Sequence, residues 1–213
     1  DGTCRRAQGT SSIVHLIFTG SVSGAFQVDA TVWFARSVIA RNDRSSVTWR
    51  SGAYMDSSVD AVIIGMGYVG LPLAREACAA GLSVIGLDVN PEVIDGLNHG
   101  RSHVDDLADC DVAEMLGRGF RATTEAVQLS RARAIVICVP TPLSTDGAPD
   151  LGPLRVAVGS VASQLRAGTL VILESTTYPG TTEEEIRPIL EAGGMTAGED
   201  FFLAFSPERI DPG

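Results

Sequence analysis

Five apolar runs stand out as candidate strands: Ala61–Ile64, Val84–Leu87, Ala134–Val139, Thr169–Leu173, which opens on a threonine, and Phe201–Phe205. Short runs rich in Val, Ile and Leu, bounded by glycine or polar residues, predict strands buried on both faces. Helical signals fall between them. A small-residue segment ends at Gly81, and Asn90-Pro91 opens a short helix over Glu92–Leu97. The acidic run Asp105–Asp111 predicts a solvated helical face, and a weak strand is expected near Phe120. Thr124 is placed to cap a helix over Glu125–Arg131, and a helix of about 14 residues ends near Arg166 with Gly168 as its stop. Thr182 and Glu185 have capping-box spacing for a helix to Ala192, which Pro188 should kink or shorten. Alternation of this kind predicts an α/β fold, a parallel sheet with helices on both faces.

The first strand runs into Gly65-x-Gly67-x-x-Gly70, and the second closes on Asp88, 23 residues after Gly65. In such a strand–turn–helix unit the first glycine makes the tight turn, the second lets a pyrophosphate approach the backbone, and the third lets helix and sheet pack closely. Anionic phosphates would then meet main-chain N–H groups at the helix N-terminus, with no need of Lys or Arg. Asp88 sits close to the ~20-residue spacing expected of a carboxylate that accepts from an adenosine ribose. Neither Val89 nor Asn90 is cationic, which favours NAD over NADP. The expected architecture is therefore a Rossmann-like, doubly wound parallel sheet with NAD as cofactor. Its carboxyl edge, where ligands bind, would receive Thr141 after Pro140 and the Glu174-Ser175-Thr176-Thr177 segment after the next strand.

Bulk properties narrow the function. The 213 residues carry a net charge of −10, which argues against a nucleic-acid partner but not against a small anion held by local N–H groups. No apolar run approaches the ~20 residues needed to span a membrane, and a cytoplasmic location is expected. Cys4, Cys78, Cys110 and Cys138 include no CxxC pair; Cys78 and Cys138 read as core residues in a reducing compartment. His99 and His103 are four apart, but Gly100 lies between them and no third ligand has suitable spacing, so no metal site is expected. Residues 1–54 differ from the remainder. They hold six Arg and three Asp, a net +3, and both tryptophans. Arg5-Arg6 before Ile13–Phe18 makes a poor signal peptide. The expectation is a leader upstream of a native start at Met55, with no stable fold of its own and early proteolysis, and an NAD-binding domain over 55–213.

Four blocks in order carry a more specific signal: GMGYVGLPLA (65–74), ICVPTPL (137–143), ESTTYPGTTEE (174–184) and FFLAFSPERIDPG (201–213). Together they resemble the amino-terminal domain of the UDP-glucose/GDP-mannose dehydrogenase family, and most closely its branch acting on UDP-N-acetylglucosamine and UDP-N-acetylmannosamine. The resemblance implies oxidation of the C6 alcohol of a nucleotide sugar, here a UDP-N-acetylhexosamine, to a carboxylate, with two hydrides passing to two NAD molecules. It implies a second-domain cysteine that holds the intermediate as a thiohemiacetal and then a thioester, and a homodimeric full-length enzyme. By position it implies that Tyr68, Val69, Asp88, Thr141, Ser175 and Thr176 contact NAD. Ser175 and Thr176 would also flank the reacting sugar, with Thr176 helping to place water. Glu208 would be the base that activates that water, and Arg209 and Ile210 would contact the sugar. Without the surrounding blocks, Glu208 would read as a surface carboxylate, and Thr141 and Thr176 as hydroxyls bonded to local backbone.

The chain departs from the family pattern. It has no lysine, and none of its cysteines lies in glycine-rich surroundings like those of the family nucleophile. Val93 stands five positions after Asp88, where a basic residue is often found. The chain is thus expected to supply the cofactor-binding half and to be inactive alone. Two other readings stand beside this one. One is a non-catalytic NAD-binding module, allowed by the missing cysteine and lysine. The other is a different NAD-dependent hydroxyacid or sugar-phosphate dehydrogenase, which the Ser206–Arg209 block disfavours.

Overall fold

A computed structural model describes residues 13–15, 17–18, 27–29, 59–142, 149–175, 177–178 and 180–206. Its centre is strand β1 (Val59–Ile64), followed by helix α1 (Gly70–Ala79), β2 (Val84–Leu87), α2 (Pro91–Asn98), α3 (Asp109–Gly117) and β3 (Arg121–Thr123). A 3-10 segment, Ala126–Arg131, then leads to β4 (Ala132–Ile137), α4 (Gly152–Gln164) and β5 (Leu170–Glu174). A π-helical turn, Thr182–Ile186, continues into α5 (Arg187–Glu191), and β6 (Phe202–Ser206) is last.

The six strands are parallel in the order β3-β2-β1-β4-β5-β6, with Ile63 level with both Gly86 and Val136. Consecutive residues of a strand point to opposite faces, so each strand feeds two cores. Ala61, Ile63 and Val136 pack under α1 with Leu71, Ala74, Cys78 and Phe120; Val62, Ile64 and Ile135 face Leu154, Val158, Val161 and Phe201. Burial on both faces explains why the strands read as unbroken apolar runs. Chain order reverses between β1 and β4, and the crevice there is where a doubly wound sheet receives its ligand. On the outer edge of β6, Ile17–Phe18 pair antiparallel, and Ile13–His15 pair with Gln27–Asp29 apart from this sheet. These three short strands are the described part of the expected leader.

Three helix starts differ from the sequence expectation. Of the acidic run, only Asp109 and Asp111 lie in α3, in its first turn; Asp111 accepts from the Ala108 N–H at 3.1 Å and Asp109 from the Ser102 N–H at 2.7 Å. Both carboxylates bond loop and cap amides beside the first turn of α3, and Asp105 and Asp106, exposed as expected, precede the helix instead of lying on it. The segment after Thr124 is the 3-10 turn, entered through Thr123, whose hydroxyl accepts from the Glu125 N–H at 3.1 Å. At Thr182 no capping box forms: Thr181 takes the cap position and donates its hydroxyl to the Tyr178 carbonyl at 2.8 Å. Glu185 instead accepts from Arg155 of α4 at 2.7 Å. Pro188 brings no N–H and its ring crowds the carbonyl four residues back, and the turn before it is the widened one.

One contact covers the sheet edge at β3. Asn98, the last residue of α2, donates to the Ala122 carbonyl at 2.8 Å and accepts from the Ala122 N–H at 3.0 Å. A side-chain amide thus completes the strand's outer pairing, which blunts an open edge.

Candidate cofactor site

The site is built at the carboxyl end of β1. Gly65 turns the chain at φ +90°, and a Cβ there would lie 2.5 Å from the Cys138 carbonyl oxygen, so the turn runs hard against the end of β4. A Cβ on Gly70 would fall 1.8 Å from the Gly65 carbonyl oxygen, which leaves no side chain room where α1 begins. A Cβ on Gly67 would meet nothing within 4 Å. Two glycines are therefore fixed by packing, and the middle one borders open space, as its expected role beside a diphosphate requires.

The mouth of α1 is free to receive an anion. Its cap residue, Val69, makes no side-chain cap bond, and Pro72 has no N–H to satisfy. Leu71 donates to the Gly67 carbonyl and Leu73 to the Val69 carbonyl, both at 3.1 Å. Among the described residues, the amides of Tyr68 and Val69 meet no acceptor. Unpaired donors at the positive end of a helix are what a phosphate oxygen needs. The Tyr68 side chain is 49% exposed, whereas Val69 is half-buried against the core.

Asp88 lies at the end of β2, its own N–H bonded to the Thr123 carbonyl at 3.1 Å. Its Oδ1 accepts from the Asn90 N–H at 2.9 Å and its Oδ2 from the Met66 N–H at 2.7 Å. A carboxylate offers about four acceptor positions, so capacity remains for ribose hydroxyls. The Asn90 side chain is committed to capping α2, accepting from the Glu92 N–H at 2.9 Å, and Val89 is 90% exposed. The sequence had assigned Asp88 to the ribose alone; its bond into the glycine turn was not foreseen, and neither were the roles of Met66 and Gly86. A glycine inside a buried strand was the available signal, because it often marks a close approach by another group.

Toward the other half of the sheet, the chain brings Thr141 and Ser175 together. Their hydroxyl oxygens are 3.5 Å apart at the ends of β4 and β5, with Ser175 buried. Nearby in sequence and fold, the Thr177 and Ser206 hydroxyls are buried without a hydrogen-bond partner among the described residues. Buried hydroxyls in that state suit a polar ligand group or an ordered water. Thr176, Glu208, Arg209 and Ile210 lie outside the described residues. His99, weighed above as a metal ligand, is the cap residue just after α2, with its Nδ1 2.8 Å from the Asp95 carbonyl.

Cys78 and Cys138 are buried thiols, as expected, and burial pushes the Cys78 thiol up to about 11. A thiol that holds its proton so firmly is no nucleophile near neutral pH. Cys110, by contrast, is disulfide-bonded. No helix among the described residues is long and apolar enough to cross a membrane. Taken together, open space at Gly67, two unpaired amides and a carboxylate with spare acceptors fit a dinucleotide.

Known proteins agree with this geometry. Residues 59–213 match the family described as "UDP-glucose/GDP-mannose dehydrogenase family, NAD binding domain". The chain is 42% identical over 156 residues to UDP-N-acetyl-D-glucosamine 6-dehydrogenase of Salmonella typhi, a match covering 73% of this chain and 36% of that protein. It is 40% identical over 153 residues to UDP-N-acetyl-D-mannosamine dehydrogenase of Pyrococcus horikoshii, covering 71% and 36%. The fold is similar to a solved UDP-N-acetylmannosamine dehydrogenase from Pyrococcus horikoshii, with a TM-score of 0.68 and 39% identity over 72% of this chain and 37% of that one. The chain thus spans about a third of the length of the curated relatives it matches.

Proposed function

Because this chain belongs to the UDP-glucose/GDP-mannose dehydrogenase family and covers its NAD-binding domain, we propose that it is the cofactor-binding half of an enzyme that oxidises the C6 hydroxyl of a UDP-N-acetylhexosamine to the uronate. The observation that carries this reading is the turn at Gly67, open to solvent and lined by two unpaired amides, with Asp88 beside it. Overall, one primary alcohol, one water and two NAD give one carboxylate, two NADH and three protons. NAD, when bound, accepts hydride from the carbon being oxidised.

The chain's residues then divide the work. The Tyr68 and Val69 amides hold the diphosphate, and Asp88 accepts from the adenosine ribose. Thr141 and Ser175 orient the nicotinamide end through their paired hydroxyls. Thr176 and Ser175 lie beside C6, and Thr176 helps to seat the water. Glu208, two residues after β6 in the sequence, takes a proton from that water, work suited to a carboxylate. Arg209 and Ile210 hold the sugar. The catalytic cysteine and lysine come from sequence outside this chain, which alone binds NAD without turnover. The working enzyme is a cytoplasmic homodimer.

The test is stoichiometric. The longest gene product that carries this chain should form about two NADH for each UDP-N-acetylhexosamine consumed. One NADH per sugar would identify a simple alcohol dehydrogenase. Saturable NAD binding with no NADH at all would identify a binding module.

A further inference from the structure

We propose that Met66 is a positioning residue of the cofactor site: its N–H, held by Asp88, and its side chain, seated over Gly86, together fix the glycine turn in the shape that receives a diphosphate. The carboxylate that accepts from the ribose thereby also sets the phosphate cradle. This inference rests on the reading of that turn as a dinucleotide site.

Met66 stands between Gly65 and Gly67, two residues whose backbones are the least restricted of any. A turn of that composition would sample many shapes unless the residue in its middle were anchored. Met66 is anchored at both ends. Its N–H donates to Asp88 Oδ2 at 2.7 Å, a charge-assisted length, across 22 residues of sequence. Asp88 is itself held in place through its own N–H to Thr123 and its Oδ1 to Asn90. The Met66 side chain is fully buried, and a Cβ on Gly86 would come within 2.4 Å of its Sδ and 2.9 Å of Phe120 Cζ. Gly86 therefore leaves the space that Met66 fills. The two unpaired amides, at Tyr68 and Val69, come two and three residues after Met66 with Gly67 between, so their direction depends on where Met66 is held. An anion that finds donors already aimed binds without ordering the turn first.

Electrostatics alone predicts the opposite effect for an anion without ribose. Asp88 repels a diphosphate, so removing its charge should tighten binding; if Asp88 aims the turn, removal should weaken it. Inorganic pyrophosphate is the probe, measured as a competitor of NAD on the full 213-residue chain. Wild-type chain should bind both in competition, and binding of neither would refute the cofactor reading itself. With wild-type binding established, Asp88→Ala should weaken pyrophosphate about ten-fold, the loss of one charge-assisted anchor. Gly86→Ala, which changes no charge and touches no ligand, should weaken it as well. Unchanged or tighter pyrophosphate binding by Asp88→Ala would overturn the inference. Should either variant fail to fold, hydrogen exchange on the ligand-free wild type decides: a slowly exchanging Met66 amide supports the anchor, and exchange as fast as an exposed loop's overturns it.

Discussion

Substituting alanine at the two ends of the α1 entry separates packing from binding. At Gly70 the added methyl would sit 1.8 Å from the Gly65 carbonyl oxygen and 3.3 Å from Cys138 Cβ. Carbon and oxygen in ordinary contact stand above 3 Å, so the helix and the strand end would have to part by more than 1 Å. Both clashing groups near Gly65 are main chain, and no rotamer change relieves them. Overpacking of this kind costs about 1–3 kcal/mol, and a backbone clash belongs at the upper end. That is a large share of the ~5–15 kcal/mol that holds a typical domain together. At Gly67 the methyl meets nothing within 4 Å and the backbone is not left-handed, so stability should stay within about 0.5 kcal/mol of wild type. The same methyl occupies the approach of the diphosphate, however, and NAD affinity should fall about ten-fold or more. Urea unfolding and NAD titration of both variants read the two effects separately. A Gly70→Ala chain as stable as wild type, or a Gly67→Ala chain with undiminished NAD affinity, would refute the assignment of these glycines.

Three other perturbations follow from the same structure. Asn98→Ala removes both bonds to Ala122 and should cost about 1–3 kcal/mol, read by urea unfolding, with aggregation rising as the β3 edge opens; an unchanged midpoint would count against the clamp. Cys78 has a folded-state pKa of about 11 against 9.0 unperturbed, so the folded chain favours the protonated thiol. Its contribution is intact below pH 9 and is lost as pH rises toward 11, by about 2–3 kcal/mol relative to Cys78→Ala. Parallel stability curves for the two chains over that range would contradict it, as would labelling of Cys78 by thiol reagents at pH 7. Ser206→Ala deletes a buried hydroxyl without a partner, so unfolding should show no loss of stability and a gain of up to about 1 kcal/mol; clear destabilisation would mean that a water satisfies it.

What the sequence made legible was local. The β1–α1–β2 unit could be read from unbroken apolar runs and three glycines because each of those features acts within a few residues of itself. The edge strand at Arg121–Thr123 was faint because it has three residues and takes its order from β2 and Asn98. Two of the misread helix starts turn on a partner outside the local spacing. Glu185 is drawn to Arg155, 30 residues away, and Asp109 reaches back seven residues to Ser102. Capping-box spacing at Thr182 was sound as local chemistry but lost to a longer-range ion pair. In the site, Asp88 and the glycines were legible from spacing, and Thr141 with Ser175 from motif blocks that a parallel sheet delivers to one edge. The bond from Asp88 to Met66 was not, since spacing places a carboxylate without saying which amide it will find.

The central claim is that residues Gly65–Asp88 form a seat for NAD. Calorimetric titration of NAD into the 213-residue chain tests it most directly, with Asp88→Ala titrated in parallel. The account predicts one saturable site per chain, weakened in the variant by about ten-fold or more. An absence of binding heat from the folded wild-type chain across several temperatures, or equal affinity in the two chains, would contradict it.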